Sequence, residues 1–127
     1  MKTCFVVLVS VSAGIALGVA GVQALHAQAK PPAFVVGEID VKNAEMLDKE
    51  YVANASKAVR DGGGKYLVVG GKSVSFYGEP PKRIAIMAFD NLEKAEAAFN
   101  SAAYRQAKAV GDKYATFRIY AVEGVTP

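Results

Sequence analysis

The residues best placed to do chemistry are Glu38, Glu79, Arg83, Tyr51 and Tyr104. Glu38 and Asp40 stand two apart in an alternating stretch, so they share one face of a strand. Turned inward, they would form a buried carboxylate pair with raised pKa values, the setting of a general base. Turned outward, both are solvated, and Glu123 near the chain end is either a neighbour of Glu38 on a paired strand or an edge charge that discourages aggregation. Glu79 and Arg83 flank Pro80-Pro81. They are close enough to pair across the turn or to hold a polar ligand together, because a guanidinium fork matches a carboxylate. A turn-fixing ion pair is the plainer reading. Tyr51 and Tyr104 fall on apolar helix faces, which makes them core residues first, with hydroxyls available to line a pocket.

Gly70-Gly71-Lys72-Ser73 has the ending of a phosphate-binding loop. That loop needs an earlier glycine, and the position where it belongs holds Tyr66. It must also open a helix, whereas Val74-Ser75-Phe76-Tyr77 alternates like a strand. The dinucleotide pattern fails too, since Leu67 stands where a third glycine should follow Gly62 and Gly64. These glycines are read as turns and bends.

The elements that must position the candidates follow from periodicity. Ala33 to Val41 alternates as a strand with apolar groups on both faces. Asn43 is a helix cap, and Leu47, Tyr51, Ala55 and Val59 repeat at helical spacing up to the glycines at 62 to 64. A second strand runs from Lys65 to Gly70 and resumes at Val74 after a bend, and Gly78-Glu79-Pro80-Pro81 turns the chain into a third, Arg83 to Phe89. Asp90-Asn91-Leu92-Glu93 has capping-box spacing and opens a helix that Asn100-Ser101 interrupts. Ser101 caps a further piece carrying Tyr104, Ala107 and Val110 to Gly111, and Thr116 to Gly124 is the last strand. The order is βαββαβ, an α+β ferredoxin-like arrangement with both helical layers on one face of a four-stranded antiparallel sheet. Its other face carries Phe34 and Val36 beside Phe117 and Ile119, or the alternate set, and is expected to be buried against a second copy in a homodimer.

The chain has 127 residues, enough for one core. Fifteen Lys and Arg against twelve Asp and Glu leave a net charge of +3, spread without a basic cluster, so nucleic acid is not an expected partner. Residues 1–29 differ in kind. A positive start, an uncharged run from Cys4 to Val22 and Ala27-Gln28-Ala29 read as an export signal cleaved after Ala29, giving a periplasmic or secreted domain of residues 30–127. The alternative is a retained membrane anchor at residues 4–22, the chain's one expected contact with a membrane. Cleavage removes the only cysteine, Cys4, and the only histidine, His26. The remaining chain cannot build the usual zinc sites, a thiol nucleophile, a Ser-His-Asp triad or a disulfide, so no metal or cofactor is expected. Any acid-base chemistry falls to Asp, Glu, Lys or Tyr.

Tyr51 after Lys49-Glu50, Gly63-Gly64-Lys65-Tyr66-Leu67, Gly70-Gly71, Gly78-Glu79 before Pro81 and Arg83, Phe89, Ser101 with Tyr104, and Val122-Glu123-Gly124 together resemble the DUF1330 family over Ala33 to Gly124. The resemblance implies a dimeric α+β barrel of ferredoxin-like fold with no established function, substrate or cofactor. Similar barrels include cofactor-independent monooxygenases, muconolactone isomerases, haem proteins akin to chlorite dismutase and stress-response proteins. Ala98-Phe99 stands where many relatives carry a tryptophan, which this chain lacks. The expected function is binding of a small organic molecule in a cleft, with Tyr51, Arg83 and Tyr104 as ligand-binding residues. The alternative is a cofactor-independent isomerase or monooxygenase with Glu38 or Glu79 as base and Arg83 holding an anion.

Overall fold

The computed structural model describes residues 30–126. The expected export signal and its cleavage point after Ala29 lie outside the described residues. Eight elements follow in order: β1 (Ala33–Val41), α1 (Ala44–Glu50), α2 (Val52–Asp61), β2 (Lys65–Val69), β3 (Arg83–Phe89), α3 (Leu92–Phe99), α4 (Ala102–Gly111) and β4 (Ala115–Glu123). The strands form one antiparallel sheet in the order β2-β3-β1-β4, and the helices cover one side of it. This is the ferredoxin-like arrangement, with each of its two helical layers broken in two.

Three of the four helices start where a polar side chain satisfies a free backbone N–H, while α2 follows α1 through Tyr51 without a side-chain cap. Asn43 Oδ1 accepts from Met46 N at 3.1 Å, and Ser101 Oγ accepts from Tyr104 N at 3.2 Å while donating to Ala98 O at 2.7 Å. The cap of α3 is Asn91, not Asp90: Asn91 is extended and accepts from Lys94 N at 2.9 Å, which leaves Asp90 to pair with the Lys94 ammonium. The single helix expected from Asn43 to the glycines is bent at Tyr51. There the backbone opens to φ −105°, while Tyr51 N still reaches Leu47 O at 2.9 Å. The bend seats the Tyr51 ring against Phe117, with centroids 5.0 Å apart, and directly over Gly111. A Cβ at residue 111 would lie 2.6 Å from Tyr51 Cδ2, so only glycine ends α4 without moving that ring.

Alternation along β1 settles which face the helices cover. Ala33, Val35 and Ile39 are buried beneath them with Met87 and Phe89 of β3. Phe34, Val36 and Glu38 turn to the opposite, open face. Their partners on β4 correct the expected grouping: Phe34 pairs with Val122 and Val36 with Tyr120, whereas Phe117 and Ile119 pair with Ile39 and Gly37 on the helix side. The open face is therefore built around Phe34, Val36, Ile86, Tyr120 and Val122.

The expected resumption of the second strand at Val74 does not occur. Gly70, at φ +59°, donates to Ile84 O at 2.8 Å, and residues 70–82 then form no regular element. Continuing the pairing of Val69 with Ala85 would set Ser73 and Val74 against Pro81 and Pro80. Neither proline has an N–H to donate, so the ladder stops. Phe76 and Tyr77 consequently stand 87% and 99% exposed.

Gly111→Val is expected to push the Tyr51 ring from its seat and to destabilise the domain by about 1–3 kcal/mol, read by urea unfolding. Gly71→Val, where an added Cβ meets nothing within 4 Å, is the control and should leave the midpoint unchanged.

Candidate functional site

A cavity of about 340 Å³ lies between the helix face of the sheet and the bent α1–α2 segment. It exists because two small residues meet at the centre of that face: Gly37 of β1 is paired with Ala85 of β3. A Cβ at residue 37 would make only ordinary contacts, 3.7 and 3.8 Å from Ala85, so the space above it is unfilled. Larger side chains surround this low floor, with Ile39, Met87, Phe117 and Ile119 rising from the sheet and Leu47, Ala55 and Val59 descending from the helices. The opening is marked by the exposed Asp48, Val69 and Gly70 together with half-buried Val52, Ser56 and Arg83.

Two buried tyrosines place a hydroxyl pair in the mostly apolar interior. Tyr51, at the bend between α1 and α2, and Tyr104, in the first turn of α4, bring their hydroxyls to 2.9 Å, and both side chains are buried. The Tyr104 ring meets Phe99 edge-on at 4.5 Å, and Phe99 in turn meets Phe89 at 6.1 Å. Burial raises the pKa of Tyr51 to about 12, against a smaller lowering by its bond to Tyr104. Tyr104 is raised further, first by burial and then by the neighbouring Tyr51. Both hydroxyls therefore stay protonated near neutrality. One hydrogen is spent within the pair, and the other can serve a ligand. Such a pair is a hydrogen-bond donor and acceptor, not a base.

Arg83, the first residue of β3, falls on the helix side because it pairs with Ile39. It crosses the opening to Asp48 of α1, with Nη1 donating to Oδ1 at 2.7 Å. This corrects the expected pairing with Glu79, which sits exposed in the segment 70–82. The strand orients the guanidinium toward α1 and away from the proline turn. Tyr51, Tyr104 and Arg83 thus line one cavity, as the sequence reading grouped them. Glu38 does not: it lies on the open face, accepts a hydrogen bond from the Tyr120 hydroxyl at 3.0 Å and stands opposite Arg118. Asp40 beside it is exposed, and Glu123 pairs with Ala33 at the far end of β1, so no buried carboxylate cluster forms.

Asp48, Gly37 and Tyr66 were not among the expected site residues. Asp48 had a signal, since it lies one turn before Tyr51 and Val52 on the same helix surface. Gly37 is one more position in the alternation of Ala33 to Val41, and only pairing with Ala85 turns it into a floor. Tyr66 reaches the cavity from the edge strand, its ring 5.5 Å from the Arg60 guanidinium carbon.

A ferredoxin-like sheet with an apolar, tyrosine-lined space under its helices defines the class of this domain. The chain belongs to the DUF1330 family, a domain of unknown function, whose profile matches residues 32–125. No curated protein matches it. Among solved structures it is similar to a protein of unknown function from Rhodopseudomonas palustris, with 13% identity and a TM-score of 0.59 over 77% of this chain and 85% of that one. It is also similar to SnoaB, a cofactor-independent oxygenase from Streptomyces nogalater, with 8% identity and a TM-score of 0.56 over 76% and 96%. A candidate antibiotic biosynthesis monooxygenase from Nitrosomonas europaea shares 15% identity with a TM-score of 0.55 over 79% and 95%. At these identities the likeness is one of fold.

The tyrosine pair predicts alkaline sensitivity. In the unfolded chain tyrosine ionises near 10.0, so the folded state holds more protons above that pH and stability must fall as pH rises. The contribution of Tyr51 is fully present below pH 10.0 and is lost progressively as pH climbs through about 12, and that of Tyr104, which is raised further, is lost at still higher pH. The expected slope is about 1.4 kcal/mol per pH unit for each tyrosine. Denaturant midpoints measured across this range should flatten in Tyr51→Phe/Tyr104→Phe. An unchanged slope in that variant contradicts the assignment.

Proposed function

We propose that this domain binds a small, largely apolar organic molecule in the cavity beneath α1 and α2, and that it works as an exported homodimer. The observation that carries the reading is a buried, hydrogen-bonded hydroxyl pair lining a mostly apolar space of ligand size, whose charged groups, Asp48 and Arg83, stand at its opening. An apolar body gains from burial against Ile39, Met87 and Phe117, while the hydroxyls fix the orientation of one oxygen or nitrogen. Binding without turnover fits the chemistry better than catalysis. The carboxylate lining the cavity, Asp48, is tied to Arg83, and the tyrosines are held protonated. The likeness in fold to cofactor-independent oxygenases keeps conversion of the bound molecule as the competing outcome.

The dimer rests on the open face of the sheet. Phe34, Val36 and Ile86 lie there beside the exposed Tyr120 and Val122, an apolar surface of the kind that soluble chains cover. A second copy supplies a matching surface through a twofold axis. Export rests on the N-terminal pattern that ends at Ala27-Gln28-Ala29.

Native mass spectrometry of the protein recovered after export from a bacterial host reads all parts together. The expected species is a dimer of chains beginning at Lys30, carrying a small molecule that Gly37→Leu removes while the circular dichroism spectrum stays the same. A bound molecule recovered chemically altered after incubation would favour the enzyme. A chain that still begins at Met1 contradicts cleavage after Ala29 and favours the retained anchor, failure to recover the protein outside the cytoplasm contradicts export, and a wild-type cavity that takes up no apolar compound contradicts binding. Separately, Val36→Lys places a charge in the middle of the open face and is expected to give a folded monomer in sedimentation. A wild-type monomer at micromolar concentration sinks the dimer.

A further inference from the structure

The residues at the cavity opening point to the charge of the ligand, an inference that rests on the cavity reading above. We propose that the site takes an aromatic monocarboxylate, with its ring inside the cavity and its carboxylate on Arg83 in place of Asp48. Arg83 is half-withdrawn from solvent, with 28% of its side chain exposed, and its stem runs beside Gly70, where an added Cβ would meet Arg83 Cγ at 3.6 Å. The guanidinium is thereby held at the opening. One of its five N–H groups serves Asp48, and the planar fork is suited to bidentate contact with a carboxylate.

Asp48 is a partner that is readily displaced. Its side chain is 56% exposed on α1, so it returns to water when it leaves Arg83. An exposed ion pair of this kind contributes little, and exchanging it for another carboxylate leaves Arg83 neutralised throughout. A ligand carboxylate attached to a buried ring has the advantage that its apolar part is anchored independently. The interior favours a ring, because Tyr51, Tyr66, Phe99, Tyr104 and Phe117 all line it and aromatic faces and edges pack on one another. The Tyr51–Tyr104 hydroxyls meet an acceptor or donor at the inner end of the molecule. Asp48 acts as the occupant of the anion position when no ligand is bound, and so discriminates against weak anions that lack an apolar body.

Titration of the dimer by calorimetry with naphthalene carboxylate and with its uncharged methyl ester tests the assignment. Wild type is expected to bind the acid about tenfold more tightly than the ester, the effect of one charge-assisted contact. Arg83→Gln should abolish that preference, and Arg83→Lys, which keeps the charge without the fork, should retain part of it. Asp48→Asn is expected to tighten the acid severalfold and leave the ester unchanged. Equal binding of acid and ester by wild type, or weaker binding of the acid by Asp48→Asn, overturns the carboxylate proposal while the cavity reading stands. Failure of both probes to bind overturns the two together.

Discussion

The hydroxyl-to-hydroxyl bond between Tyr51 and Tyr104 joins two helical layers that are otherwise held by small side chains. Ala55 and Ala58 on α2 and Ala107 on α4 bring these helices close but provide little area to lock them. The tyrosines do that, and their position explains several other features. Tyr51 requires the bend between α1 and α2 and a glycine at residue 111, while Tyr104 requires the break at Ser101 that starts α4. A buried hydroxyl without its partner costs more than the bond contributes, so the two rings are constrained as a unit. The cavity is the space left beneath them.

The sheet is used on both sides, and the two sides differ in chemistry. Under the helices, Gly37 and Ala85 keep the surface low and apolar, with polarity confined to the tyrosine pair and to the Arg83–Asp48 opening. On the open face, larger apolar groups stand beside Glu38, Arg118 and the Tyr120 hydroxyl. A small molecule and a second chain would therefore approach opposite faces of the same four strands. Both proposed roles coexist without competing for a surface.

Most of the architecture was legible in the sequence because it depends on short-range rules. Helical spacing of Leu47, Tyr51, Ala55 and Val59, caps at Asn43 and Ser101, and alternation in β1 all act within a few residues. The readings that failed were those needing a partner distant along the chain. Val74 was expected in a strand until its neighbours across the ladder proved to be prolines. Arg83 was paired with Glu79 by proximity along the chain, whereas the strand's register directs it to Asp48. The cap of α3 shifted by a single residue because both Asp90 and Asn91 can cap, and nothing local separates them.

The sequence by itself determined the family, the βαββαβ order and the residue types available for chemistry, since periodicity and turn residues act locally. Only the tertiary structure decided which face of β1 looks at the helices. Apolar groups occupy both sets of alternating positions, so no pattern within the strand can choose. The choice is made when the helices pack, and it sends Gly37 to the cavity and Glu38 to the opposite face. With it Glu38, one of two candidate bases in the alternative enzyme reading, becomes a surface group, and Asp48 becomes the carboxylate at the opening. Charge pairs and cavities arise from register and packing between segments many residues apart, where sequence spacing carries no information.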